Sequence, residues 1–139
     1  MNVIIINGPN LNLLSKRDNT IYGKRSFDDF FSDLVSQYKG INLTYFQSNT
    51  EGDIINKLQE SDSFVDYIVL NAGGYSHTSV SIADCIDAIK VPVIEVHISN
   101  IYSREEFRHK SLISQFAFGV IVGFGLDSYK LALENIISA

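Results

Sequence analysis

Glu95 and His97 stand two residues apart in the run Val93-Ile94-Glu95-Val96-His97. On a β-strand that spacing puts both side chains on one face. A carboxylate in apolar surroundings needs a partner, and an imidazole that meets the need becomes a tuned acid. The alternative is a glutamate that caps a neighbouring loop beside a histidine satisfied at a strand edge. His77 precedes Thr78-Ser79, a helix start signal, where backbone N–H groups would favour a carboxylate; capping by the histidine or serine explains the same residues. Asp84, about one and a half turns further on, reads by itself as a solvated helix residue. Arg104 and Arg108, four apart, would share a helix face directed at either a crevice or water. The stretch from Ser15 to Lys24 has no apolar periodicity, carries Lys16, Arg17, Asp18 and Asn19, and ends in Tyr22-Gly23. It reads as an exposed, mobile loop.

Positioning these residues requires a scaffold, and the sequence describes one. Five β-branched or aromatic runs suit strands: Val3–Ile6, Leu43–Gln47, Tyr67–Leu70, Val93–Val96 and Phe118–Val122. The near-continuous apolar character of the first, third and fifth predicts strands buried on both faces, as in a parallel sheet covered by helices. Helix starts are expected at Ser26, at Ser48 with Glu51 as a capping box, at Ser79, at Ser103 with Glu106, and at Asp127. Regular βα alternation through residues 1–139 predicts one α/β domain, a doubly wound, flavodoxin-like three-layer sandwich with a five-stranded parallel sheet. Ligands of such sheets bind beyond the carboxyl ends of the strands. The polar segments Asn7–Asn12, Asn71–Ser79 and His97–Asn100 all fall there.

Composition narrows the function. A net charge of −5 with no lysine or arginine block argues against nucleic acid as a partner. The four arginines, Arg17, Arg25, Arg104 and Arg108, all flank the polar segments, which suits a small anionic ligand. No apolar stretch approaches the ~20 residues that cross a bilayer, and Met1–Asn7 has no basic n-region, so a soluble, cytoplasmic protein is expected. The single cysteine, Cys85, excludes an intrachain disulfide framework. All seven lysines fall in predicted loops or helices, which disfavours imine chemistry. His77, His97, Glu95 and Asp84 lack the spacing of known zinc motifs, so no metal or other cofactor is expected. On residue types alone the rival is a flavin- or nucleotide-binding module of the same fold, although neither Gly-x-Gly-x-x-Gly nor a P-loop pattern occurs.

Four blocks, taken together in order and spacing, resemble the type II 3-dehydroquinate dehydratases. They are Asn7-Gly8-Pro9-Asn10-Leu11-Asn12-Leu13-Leu14 with Arg17 and Tyr22-Gly23; Gln47-Ser48-Asn49 with Glu51-Gly52; Asn71 to Ser79; and Glu95 to Asn100 continuing through Arg104-Glu105 and Phe107-Arg108-His109. The resemblance implies metal-free trans elimination of water from 3-dehydroquinate through an enolate, giving 3-dehydroshikimate in the shikimate pathway. It implies Tyr22 as base, Arg17 as the residue keeping it ionised, His97 as acid with Glu95 orienting it, and Asn10 as holder of the water that steadies the enolate. It further implies Asn71, His77, Asp84, Ile98, Ser99 and Arg108 as the substrate-binding set, and a homododecamer built from trimers. One guanidinium at ~4 Å, at an effective dielectric of about 20, supplies roughly the ~4 kcal/mol that brings a phenol to neutrality. Ser15 and Asp18-Asn19 depart from the glycine and Glu-Pro common in the family and alter the loop's stiffness.

Overall fold

The computed structural model describes residues 1–17 and 24–139. Tyr22, with Asp18, Asn19 and Gly23, lies outside the described residues. Among the described residues five strands form one sheet: β1 (Asn2–Asn7), β2 (Asn42–Gln47), β3 (Tyr67–Asn71), β4 (Val93–His97) and β5 (Gly119–Val122). All pairings are parallel and the order is β2-β1-β3-β4-β5. This is the flavodoxin-like order, whose switch point lies between β1 and β3. The register sets Asn7 beside Asn71 at that switch point.

Alternation along the strands sends successive side chains to opposite faces and creates two cores. Val3, Ile5, Val69, Ile94 and Val96 pack against α1 (Phe27–Gln37) and α4 (Asp127–Ser138). Ile4, Ile6, Ile68, Leu70 and Val93 pack against α2 (Glu51–Ser61) and α3 (Val80–Ala88). Two helix starts follow expectation, since Ser26 accepts from the Asp29 N–H and Ser79 from the Ile82 N–H.

Three expectations need correction. Thr50, not Ser48, precedes α2, because Ser48 Oγ accepts from the Thr50 N–H and forms a local turn instead of a capping box. The helix expected from Ser103 is absent. Residues 101–116 form short 3-10 turns at Ile101–Ser103, Glu106–Arg108 and Ser114–Phe116, and Ser103 Oγ donates back to Asn100 O while Arg104 is extended. Arg104 and Arg108 therefore share no helix face. Finally, β5 is not buried on both sides: it occupies the sheet edge, and Phe118 and Val120 are exposed. An apolar run reports hydrophobicity but not a strand's place in the order.

Gly8 shows how tightly the switch point is built. Its N–H donates to Asn71 O at 2.7 Å, and a Cβ there would lie 2.5 Å from Ala72 O. The obstacle is backbone, which cannot rotate aside. Gly8→Ala is expected to cost about 1–3 kcal/mol, read as a lower urea midpoint with an unchanged slope. A midpoint equal to that of the parent would show that β1 and β3 do not need this approach.

Candidate active site

Polar side chains at the switch point are locked before any ligand arrives. Tyr129, from α4 and fully buried, donates its hydroxyl to Asn7 Oδ1 at 2.8 Å and accepts from Asn71 Nδ2 at 2.9 Å. Burial drives its ionisation far above the ordinary phenol range, so it remains a donor. Asn71 Oδ1 in turn accepts from the Gly73 N–H at 3.1 Å, which fixes both ends of that amide. A sequence-distant tyrosine thus decides which way Asn71 points.

Asn10 adopts the left-handed region with φ 68°, a conformation asparagine tolerates better than most residues. Its N–H donates to Asn49 Oδ1 at 3.1 Å, and Gln47 Nε2 donates to the same oxygen and to Gly8 O. The Tyr75 hydroxyl donates to Asn49 O at 2.9 Å. Asn49, to which no role was assigned from sequence, ties together the loops that follow β1, β2 and β3.

At the end of β4 the expected pair is formed. Glu95 is fully buried, His97 nearly so, and His97 Nε2 is hydrogen-bonded to Glu95 Oε2. The spacing of two on one strand face brings them together, as read from sequence. Burial alone would raise the Glu95 pKa, yet the hydrogen bond and charge of His97, with hydroxyl donors from Ser114 and Ser111, hold it below the ordinary carboxylate value. Neither serine was a candidate from sequence.

His77 is no helix cap, since Ser79 does that work. Its Nδ1 lies 2.8 Å from Lys110 O, and because a carbonyl only accepts, Nδ1 carries the proton. The His77 and His97 rings lie 6.1 Å apart and 25° from parallel.

These groups surround a cavity of about 140 Å³ at the carboxyl ends of the strands. Asn10, Arg17, Asn71, His77 and His97 line it, and Ile98, Ser99 and Arg108 complete the wall. Glu95 stands behind His97. Arg104, weighed from sequence without a site role, also lines the cavity, and its Nη1 donates to Ser99 Oγ at 3.4 Å. Arg108 Nε pairs with Glu105 Oε2 at 3.1 Å. Three guanidinium groups and no carboxylate among the described lining residues favour an anionic ligand. Asp84 is the exception within the expected set: it sits exposed on α3 and does not line the cavity. Its helix packs its apolar side on the sheet and turns Asp84 outward.

A parallel α/β sheet with a buried Glu95–His97 pair at the wall of a cavity lined by three arginines, beyond the carboxyl ends of its strands, has the build of an enzyme site for a small anionic ligand. The family model for class II dehydroquinases matches residues 1–137. A curated relative from Prochlorococcus marinus, named 3-dehydroquinate dehydratase, is 52% identical over 139 residues, covering 99% of this chain and 95% of the relative. Among solved structures, the type II dehydroquinase from Butyrivibrio crossotus superposes with a TM-score of 0.93 at 41% identity, covering 99% of this chain and 97% of that one. The Propionibacterium acnes enzyme gives 0.94 at 35% identity with the same coverage. The chain belongs to the class II dehydroquinases, hydro-lyases that dehydrate 3-dehydroquinate in the shikimate pathway.

Proposed function

We propose that this chain eliminates water from 3-dehydroquinate in two proton transfers, with base and acid supplied by different segments. Tyr22, as phenolate beside Arg17, takes the proton from C2. The C–H electron pair moves into the ring as an enolate on the adjacent ketone, steadied by a water held by Asn10. His97, as imidazolium, then gives a proton to the C1 hydroxyl, which departs as water while the enolate collapses to the conjugated enone. Glu95 orients His97 and steadies its charged form. Asn71, His77, Arg108 and the backbone of Ile98 and Ser99 take the substrate's hydroxyls and carboxylate.

The observation that carries this reading is the buried Glu95–His97 pair at the wall of a cavity lined by Arg17, Arg104 and Arg108. A carboxylate kept ionised behind an imidazole is what a general acid requires, and the arginines suit an anionic substrate. Asp84, outward on α3, would reach substrate only in the cavity of a second copy, an arrangement compatible with a trimer-based homododecamer. We place the enzyme in the cytoplasm, where Cys85, a free thiol, stays reduced. Purified protein should convert 3-dehydroquinate to an enone followed by ultraviolet absorbance, at a rate indifferent to chelator and to borohydride added with substrate. Absence of the enone overturns the assignment, and inactivation by borohydride replaces the enolate route with an imine. Light scattering that gives a subunit mass alone would overturn the assembly.

A further inference from the structure

Glu95 is served by two hydroxyls from the segment between β4 and β5. Ser111 Oγ donates to Glu95 Oε2 at 2.7 Å, on the oxygen His97 also contacts, and Ser114 Oγ donates to Oε1. The segment is pinned beside the site at several points. Leu112 N–H donates to Ser76 O at 2.7 Å, Lys110 O accepts from His77, and Ile113 is fully buried in the α2–α3 core. We propose that Ser111 and Ser114 are positioning residues for the elimination: by donating to both oxygens of Glu95 they keep it an ionised acceptor, which fixes the His97 proton on Nε2 and turns Nδ1 toward substrate.

The hydrogen-bond inventory supports this. Three neighbours contact the two oxygens of Glu95, and all three donate at once only if the carboxylate is ionised. His97 must then carry hydrogen on Nε2, so its second nitrogen is the one left to exchange a proton across the cavity. A serine that merely closed a loop would satisfy itself on backbone or water. Both of these instead spend their protons on a fully buried carboxylate. The depressed Glu95 pKa agrees, since both hydroxyls contribute to lowering it. His97 is the titratable group in contact with Glu95. His77 lies beyond His97, and Arg17, Arg104 and Arg108 line the cavity in front of them.

The inference rests on His97 as the acid, so the experiment separates the two. Steady-state dehydration of 3-dehydroquinate is measured against pH for the parent, for S111A, S114A and their double variant, for S111T and S114T, and for H97A. Each lost donor to the buried carboxylate should lower kcat by about tenfold or more and leave KM within about threefold. It should also move the acid limb of the kcat profile upward by about one pH unit, because Glu95 protonates sooner. Threonine, which keeps the hydroxyl, should restore the limb. An unshifted acid limb, or threonine variants no better than alanine, overturns the role of the serines. Should the alanine variants not fold, ¹⁵N NMR of the His97 ring in the unmodified protein decides the matter. A proton on Nε2 at neutral pH is expected, and a bare Nε2 with the proton on Nδ1 overturns the proposal. H97A that retains turnover would instead remove the acid assignment itself.

Discussion

Tyr22→Phe should still bind 3-dehydroquinate with a KM near that of the parent while kcat falls by about 10² to 10⁴, the usual worth of a positioned proton acceptor. Phenylalanine preserves the ring and removes only the atom proposed to accept the C2 proton. The loss should therefore fall on kcat and kcat/KM equally, the mark of an interaction made in the transition state. Replacing Arg17 by methionine should cost turnover through the same atom, by leaving the phenol protonated at neutral pH. In that variant alone, activity should recover as the pH rises toward the ordinary phenol range. A Tyr22→Phe enzyme with parental turnover would transfer the base to another residue. His77 would then be the first to test, because its Nδ1 is occupied by Lys110 O and its Nε2 remains for a proton from the cavity it lines.

Glu95→Gln should lower kcat by roughly 10²-fold, because the amide keeps the volume but not the charge that the proposed mechanism places behind His97. Its effect on stability has a definite pH signature. The Glu95 pKa in the folded protein is held below its ordinary value, so the carboxylate contributes stability above its unfolded pKa and loses it as pH falls through the folded one. Urea midpoints of the parent should therefore drop through that acid range, and the variant should lack this part of the drop. At neutral pH the variant should be less stable by about 1–3 kcal/mol, since the serine hydroxyls meet a neutral partner where they met a charged one. Parallel acid curves for the two proteins would mean that Glu95 is not ionised in the native state.

Much of the site was readable one strand at a time. Glu95 and His97 meet because a period of two puts them on one face, and that rule operates within five residues. The five strands and the helix caps at Ser26 and Ser79 are local in the same sense. Ser48 and Ser103 failed as caps for a local reason too: their hydroxyls had backbone partners two and three residues away, and a capping pattern does not say which partner wins. Arg104 and Arg108 reach the cavity from extended and 3-10 backbone, a geometry that no helical spacing encodes.

The remaining partners come from far along the chain. Tyr129 reaches Asn7 and Asn71 across 122 and 58 residues, and Ser111 and Ser114 reach Glu95 across 16 and 19. Asn49 ties together loops 39 and 26 residues away. By itself, then, the sequence determined the sheet, the existence of a polar rim at its carboxyl end, and the Glu95–His97 contact, because strand period and helix caps are short-range properties of the chain. The tertiary structure alone decided that β5 lies at the edge, that Asp84 faces away from its own cavity, and that two serines donate to the carboxylate behind His97. Those outcomes depend on which distant segments pack together, and packing rewards shape and hydrogen-bond satisfaction without leaving a periodic trace in the sequence.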